Sequence, residues 1–234
     1  MLRLLLSFSA LILPESQGVP VATFLISPQN ITVNTGKEVR LPCRVSSVAG
    51  ACQWTRDGYG LGTAPSLPHL PRYTMPGAGS GECDLLISPV LPLDEGRYVC
   101  QAGGSQSAPA LLQVNVQPGQ PHILEAREDG QLRVEQGEAM ELSCQSQGGR
   151  PFAELQWRDG HGERLVGMDV EEHVTRIQDT NMFRTLSKLK MRVEAAMRIT
   201  CTAHSEAFPA IRESAPMEVV LAGEPEMEVV RVCE

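Results

Sequence analysis

Short segments with apolar residues at every second position recur along this 234-residue chain, which is the period of strands that bury one face. In "EVRLPCRV" the residues Val39, Leu41, Cys43 and Val45 fall on one side, and in "DLLISPV" Leu85 and Ile87 do the same. The second half repeats the pattern: Met140, Leu142 and Cys144 in "AMELSC", Leu155 and Trp157 in "ELQWRDG", and Ile199, Cys201 and Ala203 in "RITCTAH". An all-β chain is therefore predicted.

The cysteines turn this pattern into an architecture. Cys43 and Cys100 stand 57 residues apart (100 − 43), as do Cys144 and Cys201 (201 − 144), so one spacing occurs twice. Trp54 and Trp157 each follow the first cysteine of a pair, opening the similar phrases "WTRDG" and "WRDG". Cys, Trp and Cys on alternating segments describe an immunoglobulin-like sandwich, in which an inter-sheet disulfide packs on a buried indole. Two tandem sandwiches follow, V/I-like first and C2/I-like second, with bridges Cys43–Cys100 and Cys144–Cys201. In "DEGRYVC", Tyr98 takes the tyrosine-corner position two residues before Cys100, where its hydroxyl is expected to bond nearby backbone. Arg72 is placed to pair with Asp94 at the foot of the first sandwich, and Ile199 replaces the corner tyrosine in the second. The expected boundaries are a signal peptide over 1–18, a first domain over 19–118, a second over 119–222, and the start of a further domain or tail over 223–234. Pro118 and Pro121 make the joint in "NVQPGQPHI" short and stiff.

The opening "MLRLLLSFSALILPESQG" combines Arg3, an apolar run from Leu4 to Leu13 and small residues Ser16 and Gly18, the anatomy of a secretory signal peptide. No other apolar stretch reaches membrane length. The chain as written would be secreted, yet it breaks off at "EPEMEVVRVCE" in what reads as a new strand, the sign of a longer protein. Its net charge of −8, with scattered basic residues, argues against nucleic-acid partners. Asn30-Ile31-Thr32 is a glycosylation sequon, usable in a secreted chain. No catalytic constellation emerges. His69, His122, His161, His173 and His204 lack metal-ligand spacing, and "GYGLG" and "GAGSG" lack the lysine and strand-to-helix setting of a phosphate loop. Neither enzyme activity nor a metal or cofactor is expected.

Three cysteines remain: Cys52, Cys83 and Cys233. The parity of Trp54 points Cys52 inward, and that of Leu85 and Ile87 points Cys83 inward too. They occupy the same end of opposite sheets, so either a second inter-sheet bridge or two buried thiols fits. Cys233 belongs with whatever follows the chain.

The same parity defines an outer face. With Trp54, Cys100, Leu112, Val114 and Val116 inward, Gln53, Thr55, Val99, Gln101, Leu111, Gln113 and Asn115 face out on the C, F and G strands, edged by Tyr59 and Leu61. An uncharged, amide-rich surface suits a protein contact; a solvated face without a partner fits equally well. The phrases "QWTRDGYGLG", "LPRYTM", "GECDLLISPVLPLDEGRYVCQAG" and "GGRPFAELQWRDG" resemble the first two domains of the nephrin, Kirre and Roughest family, the irre cell recognition module. That resemblance covers nearly all of residues 22–230. It implies a cell-surface adhesion protein with a membrane span absent from this chain. Its first domain would bind a like or related immunoglobulin-superfamily protein in trans through the C-F-G face. It also places Gln53 where such proteins have a glutamine, and Cys52 and Cys83 where they have larger apolar residues. A soluble secreted binding protein or decoy is the alternative.

Overall fold

A computed structural model describes residues 22–46, 52–63, 67, 69–77 and 81–223. The signal-peptide segment, Cys233 and the tail lie outside the described residues. The first half forms strands β1 (Phe24–Ile26), β2 (Ile31–Asn34), β3 (Val39–Leu41), β4 (Arg44–Val45), β5 (Gln53–Arg56), β6 (Tyr59–Gly62), β7 (Tyr73–Thr74), β8 (Leu85–Ile87), β9 (Gly96–Ala102), β10 (Ser105–Gln106) and β11 (Ala110–Asn115). One layer contains the sheet β3-β8-β7 and the pair β1-β4; the other is β2-β11-β9-β5-β6, with β10 on β9. The side chains of Leu41, Trp54, Leu85, Ile87, Tyr98 and Leu112 between them are almost wholly buried, which is the burial that period-2 alternation requires.

Specific contacts fix this packing. Cys43 is joined to Cys100 with Cα atoms 6.5 Å apart, and Cys52 to Cys83 with Cα atoms 5.7 Å apart, both within the span a disulfide bridges. The Trp54 indole N–H donates to the Cys83 carbonyl at 2.6 Å. The Tyr98 hydroxyl lies 3.3 Å from that of Tyr73, which accepts from Arg56 Nη1 at 3.3 Å, so the corner tyrosine is tied to a second tyrosine beneath a guanidinium. Burial alone would weaken the Arg56 charge, but the two tyrosines more than offset it and its pKa is raised. Arg72 lies over the Tyr73 ring, 5.6 Å from its centroid. Asp94 is buried and accepts the Leu91 N–H at 2.7 Å, closing a 3-10 turn over Pro92–Asp94.

The second half forms β12 (His122–Ile123), β13 (Gln131–Val134), β14 (Ala139–Gly149), β15 (Glu154–Asp159), β16 (Asp169–Arg176), β17 (Phe183–Arg192), β18 (Met197–Ser205), β19 (Phe208–Glu213) and β20 (Met217–Leu221). Its sheets run β12-β14-β17-β16 and β13-β20-β18-β15, with β19 on β18. Cys144 is joined to Cys201, Cα atoms 6.4 Å apart, beside Trp157, whose indole donates to Ser187 Oγ at 3.0 Å. Ile199, in the corner position, is fully buried. Both halves are thus immunoglobulin-like sandwiches of antiparallel sheets, each with one parallel pair: β2 with β11, and β13 with β20.

The shared phrase after each tryptophan folds differently. In the first sandwich Asp57 and Gly58 take φ of 51° and 85°, the left-handed pair of a two-residue hairpin turn, and β6 pairs back on β5. In the second, Asp159 Oδ1 accepts the N–H groups of His161 and Glu163, both at 2.9 Å, and the longer turn returns through a single bridge, Arg158 with Arg164. The first sandwich therefore has a strand, β6, beyond the one carrying its tryptophan. That strand widens the outer face.

Candidate functional site

Cross-strand register brings two of the face residues directly together. Gln53 on β5 is paired with Gln101 on β9, and Gln101 is paired with Gln106 on β10, giving three amides side by side across the sheet. Each amide offers both donors and acceptors, so the row can bond neutral polar groups without desolvating a charge. Next to Gln53 on the β6 side lies Gly60, where a Cβ would come 3.6 Å from Gln53 Nε2; the missing side chain leaves that flank of the amide open. Gln53, Gln101, Gln106 and the turn Gly103–Gly104 line a shallow cleft of about 290 Å³. Its lining is more polar than apolar.

The other face residues sit around this row. Tyr59 is 80% exposed at the β5–β6 turn, and Leu61 is half-buried on β6. Val99 is half-buried opposite Thr55. Thr55 itself retains only 8% exposure and offers a partner little surface. Leu111, 37% exposed, and the exposed Gln113 lie on β11, on the other side of β9 from Gln53. Asn30 is exposed and accepts the Leu111 N–H at 2.8 Å.

The structure also contains partners that the sequence did not point to. Ser107 Oγ accepts the Cys100 N–H at 3.1 Å and donates to the Ala108 carbonyl; Ser214 Oγ accepts the Cys201 N–H at 3.1 Å and donates to the Ala215 carbonyl. The signal was present as "SAP", which occurs at 107–109 and again at 214–216. Asp84, 2% exposed, bridges Arg40 at 2.6 Å and accepts the Cys43 N–H at 2.8 Å, holding the Cys43 end of the first bridge within its own layer. Among the described residues, the sulfur atoms of Cys43, Cys83 and Cys100 lie within 4.8 Å of one another, but all three are disulfide-bonded. No described helix is long and apolar enough to cross a membrane.

Comparison with known proteins identifies the two domains. The immunoglobulin domain family matches residues 20–103, and the CD80-like C2-set immunoglobulin domain family matches residues 122–210. Kin of IRRE-like protein 2 of Mus musculus is 35% identical over 218 residues, covering 87% of this chain and 30% of the relative. The irregular chiasm C-roughest protein of Drosophila melanogaster is 36% identical over 176 residues, covering 72% of this chain and 22% of the relative. The chain thus spans less than a third of the length of either relative. The crystal structure of Rst D1-D2 superposes with a TM-score of 0.77 at 32% identity, over 86% of this chain and 99% of that one. The bovine butyrophilin structure, at 19% identity and a TM-score of 0.51, shares the fold. The chain therefore belongs to the nephrin, Kirre and Roughest family, the irre cell recognition module, and comprises two immunoglobulin domains.

Proposed function

We propose that this chain is the recognition part of an extracellular adhesion protein. The outer face of β5, β9 and β11 would bind another immunoglobulin-superfamily protein, of the same or a related family, on an apposed cell. The carrying observation is the amide row Gln53–Gln101–Gln106, uncharged and open on the Gly60 flank. Neutral hydrogen bonds specify a partner at a small desolvation cost, while Tyr59 and Leu61 supply apolar area at the border. Membership of the family supports the adhesive role, and the polar lining of the cleft suits neutral hydrogen bonds.

The test is a bead or cell aggregation assay with the full chain carrying Gln53→Arg. An unpaired charge at the centre of a contact costs several kcal/mol, and each 1.4 kcal/mol is about a tenfold loss of affinity. Aggregation should disappear while secretion stays at the parent level. Undiminished aggregation by a folded Gln53→Arg protein assigns recognition to another surface.

A further inference from the structure

We infer that an N-linked oligosaccharide on Asn30 covers the Leu111–Gln113 border of this face and confines partner contact to the side carrying Gln53 and Gln101. The inference rests on the proposed recognition face for its consequence, but not for the site itself. Register pairs Ile31 with Leu112 and Thr32 with Gln113, so Asn30 comes next to Leu111, and Asn30 Oδ1 accepts the Leu111 N–H at 2.8 Å. Thr32 Oγ1 donates to Gln113 Oε1 at 3.2 Å, which puts Thr32 on the outer side. Asn30, two residues earlier, shares that side.

The amide is poised for the modification. Its oxygen is held by the backbone of β11, while Nδ2 makes no hydrogen bond among the described residues and the residue is exposed. In the transfer, an Nδ2–H bond is replaced by a bond from Nδ2 to the anomeric carbon of a lipid-diphosphate-linked oligosaccharide; the proton and the lipid diphosphate leave. The product is a bulky, hydrated group on the outermost strand of the sheet β2-β11-β9-β5-β6. There it lies against Leu111, which is 37% exposed. It also blunts an open strand edge, a position at which sheets pair with foreign strands. Gln53 lies three strands away from β2, about 14 Å at roughly 4.8 Å per strand, so its end of the face stays clear. Leu111 and Gln113, members of the outer face by parity, would then lie under sugar.

The full chain, expressed through a glycosylating secretory host, tests both parts. Peptide mapping after enzymatic deglycosylation should find Asp in place of Asn at position 30, and Thr32→Ser should keep that conversion while Thr32→Ala loses it. Hydroxyl-radical footprinting of the native protein should show Leu111 oxidation rising severalfold on glycan removal, with Tyr59 oxidation unchanged. An unconverted Asn30 overturns the site, and Leu111 oxidation indifferent to the glycan overturns the shielding. Neither readout involves a partner. If aggregation survives Gln53→Arg, the recognition face fails while these two results stand on their own.

Discussion

The Trp54 indole donates its N–H to the carbonyl of Cys83, at 2.6 Å, so the buried ring of one sheet is tied to the backbone of a cysteine in the other. Cys83 is also joined through its side chain to Cys52, two residues before Trp54. A single residue therefore holds both the indole and the start of its strand. The second sandwich ties its indole to a serine side chain instead, and among the described residues carries one bridge.

Non-reducing peptide mapping should accordingly recover Cys52 and Cys83 in one linked peptide pair, separate from Cys43 with Cys100. The pair of substitutions Cys52→Ala and Cys83→Ala should lower the stability of the first sandwich by about 2–4 kcal/mol, the typical contribution of a disulfide. The decrease should be read as a fall in the urea midpoint for the first sandwich. Free thiols at both positions under denaturing, non-reducing alkylation would show that the Cys52–Cys83 bridge does not form.

The serines beneath the framework bridges should behave alike in the two sandwiches. Ser107→Ala or Ser214→Ala leaves the buried N–H of Cys100 or Cys201 without its 3.1 Å acceptor, and an unpaired buried donor costs about 1–3 kcal/mol. Calorimetry should show the affected domain melting about 4 °C or more lower, the shift expected of a small domain for such a loss. An unchanged melting temperature in both variants would mean that water or backbone movement replaces the hydroxyl.

These serines also mark where the sequence stops being informative. Alternation identified which residues of "EVRLPCRV" enter the core, because period-2 burial is a property of the strand itself, whereas in "RITCTAH" Thr200 and Thr202 on the opposite side are buried as well as Ile199, Cys201 and Ala203. The pairing of Ser107 with Cys100 depends on a turn bringing β10 and the start of β11 back over β9, and "SAP" by itself reads as loop. The same limit applies at the face. Parity placed Gln53, Thr55, Val99 and Gln101 on the outer side, but it says nothing of depth, and Thr55 is 8% exposed. Similar phrases can also diverge. Asp57-Gly58, three residues after Trp54, makes a two-residue turn, whereas Asp159, only two residues after Trp157, caps a longer one with its side chain.

Glu172 gives the second sandwich a pH dependence of unusual sign. It faces Ser187 across β16 and β17. Although Glu172 keeps an exposed surface, partial desolvation by the surrounding protein raises its carboxyl pKa and the neighbouring Glu154 adds to this, while the N–H of Leu155, donating at 3.4 Å, acts the other way. With the folded pKa raised, the folded state holds the proton more tightly than the unfolded one. The resulting stability is fully present below the unfolded pKa and is lost as pH rises through the folded value. Glu172→Gln should therefore flatten the dependence of the urea midpoint on pH above the ordinary glutamate pKa. A parent and variant with parallel pH profiles would show that the carboxylate is solvated.

Folding and recognition should separate cleanly between Trp157 and Gln53. Trp157 is 2% exposed, packs beside the Cys144–Cys201 bridge and occupies the hydroxyl of the fully buried Ser187. Trp157→Ala removes that ring and leaves Ser187 without its donor, a loss of about 3–5 kcal/mol against a total domain stability of about 5–15 kcal/mol. Secreted yield should fall sharply, and limited proteolysis should cut within the second sandwich. Gln53 makes the opposite case: it lies on the outer face of the first sandwich, and Gln53→Arg should leave yield and protease resistance at the parent level while aggregation is lost. Normal yield for Trp157→Ala would mean that the second core tolerates a cavity the size of an indole. Poor yield for Gln53→Arg would instead make that amide a folding residue, and its loss of aggregation could no longer be read as recognition.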